Sequence, residues 1–236
     1  MTKQVKSKQR VAEHGEVFTA EREVNAMLDL VKDETERIDS RFLEPACGDG
    51  NFLTEILRRK LDVVKKRYRK SPSDFEKFSI IAITSIYGVD ILADNVVECR
   101  KRLFAQWNKA YTSVCKEAAN DDCRTSVAFI LERNILCGNA LTLKKVDENH
   151  EDMLEPIIFS EWSLTTGTMI QRRDFRLDVL MAESADQNDY QAQLSLFDDE
   201  ANGAVNWETD PETGKPTPKP VAVFPLTDYR RLGKNE

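Results

Sequence analysis

The sequence predicts an α/β fold built on a doubly wound, mostly parallel sheet. Three observations carry this. Short strand-like runs at 41–44, 86–90 and 135–137 alternate with long amphipathic stretches. The first run ends in a glycine turn, Glu44-Pro45-Ala46-Cys47-Gly48-Asp49-Gly50. The second ends in an acidic residue, Asp90.

Val24, Met27, Leu28 and Val31 fall at i, i+3, i+4 and i+7, one face of a helix. Thr19 stands where its N-cap would be, after a short loop over 15–19, and Glu21 lies in the first turn. After the glycine turn, 51–70 reads as helix through Phe52, Leu53, Ile56, Leu57, Leu61 and Val64. The apolar stretch 75–90 divides into a helix to about residue 84 and a strand over 86–90. A further helix runs over about 94–109, with Val97, Leu103 and Phe104 inward, before the strand at 135–137. Beyond Leu141 the pattern changes: 157–162 and 169–180 flank Thr165-Thr166-Gly167 as a β-hairpin. Residues 182–219 read as an acidic, proline-bearing linker, and 221–226 as a last short strand or a docking tail. The domain reading is 1–142 for the sheet half, 143–181 for the hairpin appendage and 182–236 for the tail.

The chain has 236 residues and a net charge of −7, which argues against a free-standing DNA-coating protein. A basic block remains at Arg58, Arg59, Lys60, Lys65, Lys66, Arg67, Arg69 and Lys70, either a solvated helix face or an approach to phosphates. Cys47, Cys99, Cys115, Cys123 and Cys137 form no CxxC pair, and the two histidines stand apart from them. That pattern suggests free thiols in a reducing cytoplasm and no metal site. No apolar run reaches the roughly 20 residues of a membrane span, and no apolar stretch follows the basic N-terminus.

The chemistry concentrates at the strand ends. Gly48 and Gly50 let backbone pass close to a ligand. The turn lacks the GxGxxG or Gly-Lys-Ser/Thr pattern of a phosphate loop, and instead carries Glu44 and Asp49. Carboxylates repel a pyrophosphate and suit a ligand with a cationic end, such as an amino-acid ammonium or a sulfonium. Asp90 is placed to accept hydrogen bonds from ribose hydroxyls, at about twice the usual interval of roughly 20 residues, so an inserted helix must lie between. Ile91 would then pack on an adenine face. Asn139 in Gly138-Asn139-Ala140-Leu141 can pair with an adenine edge, with Leu141 over the ring. The plain alternatives are a structural turn, a helix cap and a second turn.

Together GEVFT (15–19), EPACGDGNFL (44–53), YGVDIL (87–92) and GNAL (138–141), in that order, resemble the cofactor half of adenine-N6 DNA methyltransferases of restriction-modification systems. The resemblance covers about residues 10–142. It implies a Rossmann-like, class I S-adenosylmethionine-dependent fold. In it Glu44, Pro45, Ala46 and the turn at Gly48 and Gly50 hold the methionine part, and Asp90 holds the ribose. Ile91, Asn139, Ala140 and Leu141 frame the adenine, and Phe18 and Thr19 close over the cofactor. Two positions depart from the family pattern: Ala20 stands where proline is usual, and Asn139 where aspartate is usual.

The larger departure is an absence. The family grips its flipped base with an Asn/Asp/Ser-Pro-Pro-aromatic motif, and this sequence contains no Pro-Pro. Its nearest stretch, Ser160-Glu161-Trp162, lacks both prolines, so the catalytic residues are not identified. The resemblance therefore implies an S-adenosylmethionine-binding component that acts on DNA with a second chain. That chain would supply the catalytic motif and target recognition. The alternatives are a non-catalytic cofactor-binding regulator and a methyltransferase for a non-DNA substrate. The sheet is expected to be incomplete on its catalytic side, and Phe159, Trp162, Met169 and Phe175 of the hairpin to need a cover.

Overall fold

The computed structural model describes Arg10 and residues 19–184, 207–209, 211, 214 and 216–234. At its centre is a parallel sheet in the order β1 (Phe42–Glu44), β2 (Ile86–Asp90), β3 (Ile135–Cys137). Leu43 lies opposite Tyr87, and Val89 opposite Leu136. All of β2 is buried, the condition of a central strand covered on both faces. The chain is thus α/β with a three-stranded parallel sheet.

Two short helices of the described residues 19–41, α1 (Glu21–Asp29) and α2 (Lys32–Thr35), lie before β1. Each crossover between the parallel strands carries two helices. α3 (Asn51–Tyr68) and α4 (Pro72–Thr84) join β1 to β2; α5 (Ala93–Cys115) and α6 (Asp121–Asn134) join β2 to β3. The extra helix in the first crossover accounts for the long interval between the glycine turn and Asp90. α6 is absent from the sequence reading, yet its start is ordinary. Asn120 accepts a hydrogen bond from the Cys123 amide at 2.8 Å, and Asp121 and Asp122 occupy the first turn. At α1 the cap position falls on Ala20, not Thr19; the Glu23 carboxylate receives the Ala20 N–H at 3.3 Å.

These helices form the main core on one face of the sheet. Leu53, Leu57, Phe75, Ile83, Leu103 and Trp107 have no exposed surface. Trp107 stacks on Tyr111 with centroids 4.6 Å apart and donates from Nε1 to Ser79 Oγ at 3.0 Å, so its polar edge is satisfied inside the core.

The other face is covered by antiparallel structure. β4 (Lys144–Val146) pairs with β5 (Asp152–Pro156), a small ladder the sequence did not suggest. The expected hairpin forms from β6 (Ile158–Leu164) and β7 (Met169–Arg176), turning at Gly167 with φ 63°. Its second arm ends at Arg176, and the chain continues as helix α7 (Leu177–Ser184), where an unbroken strand to 180 was expected.

The hairpin docks on its own sheet. Tyr87 OH donates to the Ser160 carbonyl at 3.0 Å, and its ring meets Phe159 edge-on at 5.2 Å. Trp162 Nε1 donates to Asn134 Oδ1 at 2.9 Å, while Asn134 Nδ2 donates to the Ile86 carbonyl at 3.1 Å. One amide side chain thus ties hairpin, helix and central strand together. Phe159, Trp162 and Phe175 are buried in this arrangement, so these three need no second chain to cover them.

Within the region read as linker, β8 (Trp207–Thr209) pairs with β9 (Pro216–Pro218). Residues 185–206, which hold much of its acidic charge, lie outside the described residues. β10 (Ala222–Val223) and β11 (Thr227–Asp228) then add to β7. The tail closes over α6, burying Tyr229 and Leu232 in the helical core beside Trp162 and Ile170. Among the described residues no helix is long and apolar enough to cross a membrane.

Candidate functional site

The carboxyl ends of β1 and β2 bring the motif residues together. The turn after β1 crosses to β2 through Cys47 N–H, which donates to the Val89 carbonyl at 2.9 Å. Gly48 and Gly50 both take positive φ, 53° and 94°, and Gly50 is the N-cap of α3. A Cβ on Gly50 would sit 2.7 Å from Cys99 Sγ, so glycine there allows the turn to lie against α5.

Asp90 organises this end of the sheet and is nearly buried at 9% exposure. Its Oδ2 accepts from Gly48 N–H at 2.8 Å. Its Oδ1 accepts from Leu92 N–H at 2.9 Å and from Asn95 Nδ2 at 3.2 Å. A carboxylate has about four acceptor positions, so one on Oδ2 remains for a hydroxyl. The residue therefore holds the turn into α5, close to the helix-cap role that the sequence offered as its plain alternative, and braces the glycine loop as well, which the sequence did not disclose.

The two acidic residues of the turn differ in their surroundings. Asp49 pairs with Arg102 at 2.7 Å. The same guanidinium donates to the Asp49 carbonyl at 2.8 Å and to Asn51 Oδ1 at 2.9 Å. Asp49 is thus neutralised from α5, contrary to its reading as part of a cation-attracting pair. Glu44 forms no ion pair among the described residues; burial pushes its carboxyl up, opposed by a hydrogen bond from the Ala46 backbone. Glu44 borders an apolar cavity of about 230 Å³ between β1, α1 and α3, with Met27, Val31, Phe42 and Phe52. Pro45 and Ala46, next in the turn, are exposed.

The N-terminal segment approaches the same end. Asn51 Nδ2 donates to the Thr19 carbonyl at 3.3 Å, and Arg10 pairs with Asp94 at 2.6 Å beside Asp90. Phe18 lies outside the described residues. Gly138 N–H donates to the Asp90 carbonyl at 3.0 Å, which brings the end of β3 alongside. Ile91 is half-buried there, and Cys137 Sγ donates to its carbonyl at 3.5 Å. Asn139 is engaged: its Nδ2 donates to Asp152 Oδ1 at 2.9 Å and its Oδ1 accepts from Leu141 N–H at 3.0 Å. Ala140 is half-buried against the cluster of Tyr87, Val89, Ile157, Phe159 and Leu177, and Leu141 is exposed at 95%.

The structure also disposes of Ser160-Glu161-Trp162 as a base-gripping set. Ser160 is buried, with Oγ donating to Asp174 at 2.6 Å and accepting from Arg172 Nε at 3.0 Å. Trp162 is held in the core. The basic block is likewise divided. Arg58 and Arg59 pair with Glu55, and Lys60 is buried. Lys65, Lys66, Arg67, Arg69 and Lys70 are exposed at the far end of α3, about 27 Å from the glycine turn for 18 residues at 1.5 Å each. They do not line the crevice.

Among the described residues no group of three or more His, Cys, Asp or Glu side chains is arranged to hold a metal ion. Sequence reasoning missed Arg102 and Asn95. Arg102 stands 53 residues beyond Asp49 and has no local signal; Asn95 follows Asp90 by five residues.

No family model matches the chain, and no solved structure matches it. It is similar to a Methanocaldococcus jannaschii protein that carries the name of a type II restriction enzyme and methyltransferase. The two are 33% identical over 121 residues, 50% of this chain. The chain spans 10% of the length of that curated relative.

Proposed function

We propose that this chain is the S-adenosylmethionine-binding component of a DNA adenine-N6 methyltransferase of the Rossmann-like class, and that a second chain supplies the base-gripping motif. The observation that carries the reading is the Asp90–Gly48 hydrogen bond, which joins the glycine turn to the acidic end of β2, with Asn51 at the start of α3 holding the Thr19 carbonyl. The name of the Methanocaldococcus jannaschii relative supports it.

The residues fit this cofactor in three respects. Glu44 offers an ammonium group a carboxylate that forms no ion pair among the described residues. Asp90 retains an acceptor position for a ribose hydroxyl. The glycine turn keeps side chains out of the approach. When bound, S-adenosylmethionine would supply an electrophilic methyl group. The chain's part is then orientation: methyl transfer needs proximity and alignment more than acid–base groups. Asn139 would have to exchange Asp152 for an adenine edge, and Leu141 would have to fold inward.

Titration calorimetry with S-adenosylmethionine tests the first half; absence of binding would remove the proposal. Tritiated methyl incorporation into unmethylated DNA tests the second. The expected result is none by the chain alone and incorporation into adenine when a chain bearing the Asn/Asp/Ser-Pro-Pro-aromatic motif is added. The missing Pro-Pro equally favours a cofactor-binding regulator. That reading gains if the cofactor binds and no such mixture transfers methyl groups.

A further inference from the structure

The free edge of β1 carries a consequence for how a second chain attaches. β1 pairs with β2 on one side only among the described residues. Phe42 N–H donates to the Ser85 carbonyl at 2.9 Å, towards β2. In a parallel strand the N–H and C=O of alternate residues face opposite edges, so those of Leu43 face outward. Leu43 is 39% exposed in the middle of the strand.

Each face of this edge opens into an apolar cavity. One, of about 230 Å³, lies on the helical face against Met27, Val31 and Phe52. The other, of about 510 Å³, lies on the hairpin face against Tyr87, Phe159, Phe175, Leu180 and Met181. Phe42 and Leu43 border both. The exposed apolar residues Met27 (55%), Val31 (45%) and Met181 (44%) belong to these walls. A strand laid along β1 would send successive side chains to opposite faces, one set into each cavity.

Charge narrows the occupant. The larger cavity is bordered by Arg41 and Arg173 and by Glu161 and Glu208. Glu161 lies 2.5 Å from each arginine. The rim is balanced, which suits an uncharged apolar segment and not a nucleic-acid strand. A second copy fits poorly. Two β1 edges pairing antiparallel about Leu43 would set each Glu44 carboxylate opposite the other copy's Phe42, in an apolar cavity, an unfavourable burial.

We propose that the edge of β1 is a strand-addition site for an extended, apolar segment of a different polypeptide chain, its alternate side chains filling the two cavities. This deepens the partner half of the proposed function and rests on that reading for the choice of probe. The probe is the chain bearing the Asn/Asp/Ser-Pro-Pro-aromatic motif that the methyl-incorporation assay uses. Light scattering and hydrogen exchange on the mixture are expected to give a complex with new protection at residues 42–44 and 177–181. Leu43→Lys, Val31→Lys and Met181→Lys should each weaken it at least tenfold, whereas Val97→Lys, exposed on α5, should not.

A complex that forms without protection at 42–44 and is indifferent to these lysines overturns the site. So does protection of the Leu43 amide in the isolated chain, which would mean that the chain covers its own edge or pairs with itself. Failure of the probe to associate overturns it as well. Methyl incorporation by the same mixture separates the two ideas. Transfer without protection at β1 leaves the enzyme reading standing and removes the site; protection without transfer supports the site and removes the enzyme.

Discussion

The Asp90 carboxylate accepts the Gly48 backbone N–H at 2.8 Å, so the end of the second strand holds the turn after the first. Three donors converge on this nearly buried carboxylate, and two of them are backbone amides. Asp90→Ala would leave these amides without their partner. The expected result is a loss of about 1–3 kcal/mol in folding stability by urea denaturation. A loss of about 1.5–3 kcal/mol in S-adenosylmethionine affinity by calorimetry is expected besides. Lowered stability with unchanged affinity would leave Asp90 a brace for the loop and remove the ribose role.

Gly50 meets two separate obstacles to substitution, a φ of 94° and a Cβ position 2.7 Å from Cys99 Sγ. Gly50→Ala should destabilise by more than about 1 kcal/mol. Adding Cys99→Ala removes the collision and leaves the dihedral strain. In a double-mutant cycle the two changes should therefore couple favourably, with Gly50→Ala costing less beside alanine than beside cysteine. Additive losses would show that the close approach is relieved in solution without Cys99.

What the sequence disclosed and what it hid follow from the range of the interactions. The three parallel strands were legible because each is a short apolar run ended by a glycine or an acidic residue. The glycine turn and Asp90 were legible as residue types, but their hydrogen bond spans 42 positions and leaves no local trace. The pairing of Asp49 with Arg102 is equally non-local, which is why Asp49 read as an open negative charge. α6 was missed although Asn120 is a good cap: charged and apolar residues mix along 121–134, and the helix touches other elements on more than one side. The hairpin was legible from its turn. Its cover was not, because Asn134 and Tyr87, which receive it, lie far off in the chain.

Glu76 fastens the C-terminal segment to the helical core. It is 3% exposed and accepts from Tyr111 OH at 2.6 Å, Asn120 Nδ2 at 3.2 Å, Tyr229 OH at 3.1 Å and Arg230 Nε at 2.5 Å. Glu76→Ala strips four donors at once and should cost about 3 kcal/mol. Arg230→Ala should cost less, since its side chain is 37% exposed. Hydrogen exchange should show residues 229–232 released in Glu76→Ala before the core opens. Retained protection there would mean that Tyr229 and Leu232 hold the segment by packing alone.

Lys60 gives the fold a pH dependence whose sign can be worked out. The side chain is wholly buried, with Nζ donating to the carbonyls of Arg37 at 3.0 Å, Ile38 at 3.1 Å and Ser40, and to Ser85 Oγ at 2.9 Å. It thereby pins the loop that leads into β1. Burial pushes its ammonium down to about 7, against the opposing pull of Asp39 and Glu34. In the unfolded chain a lysine releases its proton only near 10.4. Between those values the unfolded state binds a proton that the folded state has shed, so stability rises with pH across that window. Below about 7 both states are protonated and the dependence vanishes. Melting temperatures of the wild type and Lys60→Met should therefore diverge in slope between pH 7 and 8.5, with only the wild type gaining stability from this residue. Burial of the thiols pushes Cys115 up to about 11 and Cys123 up to about 12, so measurements above pH 8.5 would mix in their opposing effect. Equal slopes for the two proteins would show that the four oxygens around Nζ keep the ammonium charged throughout.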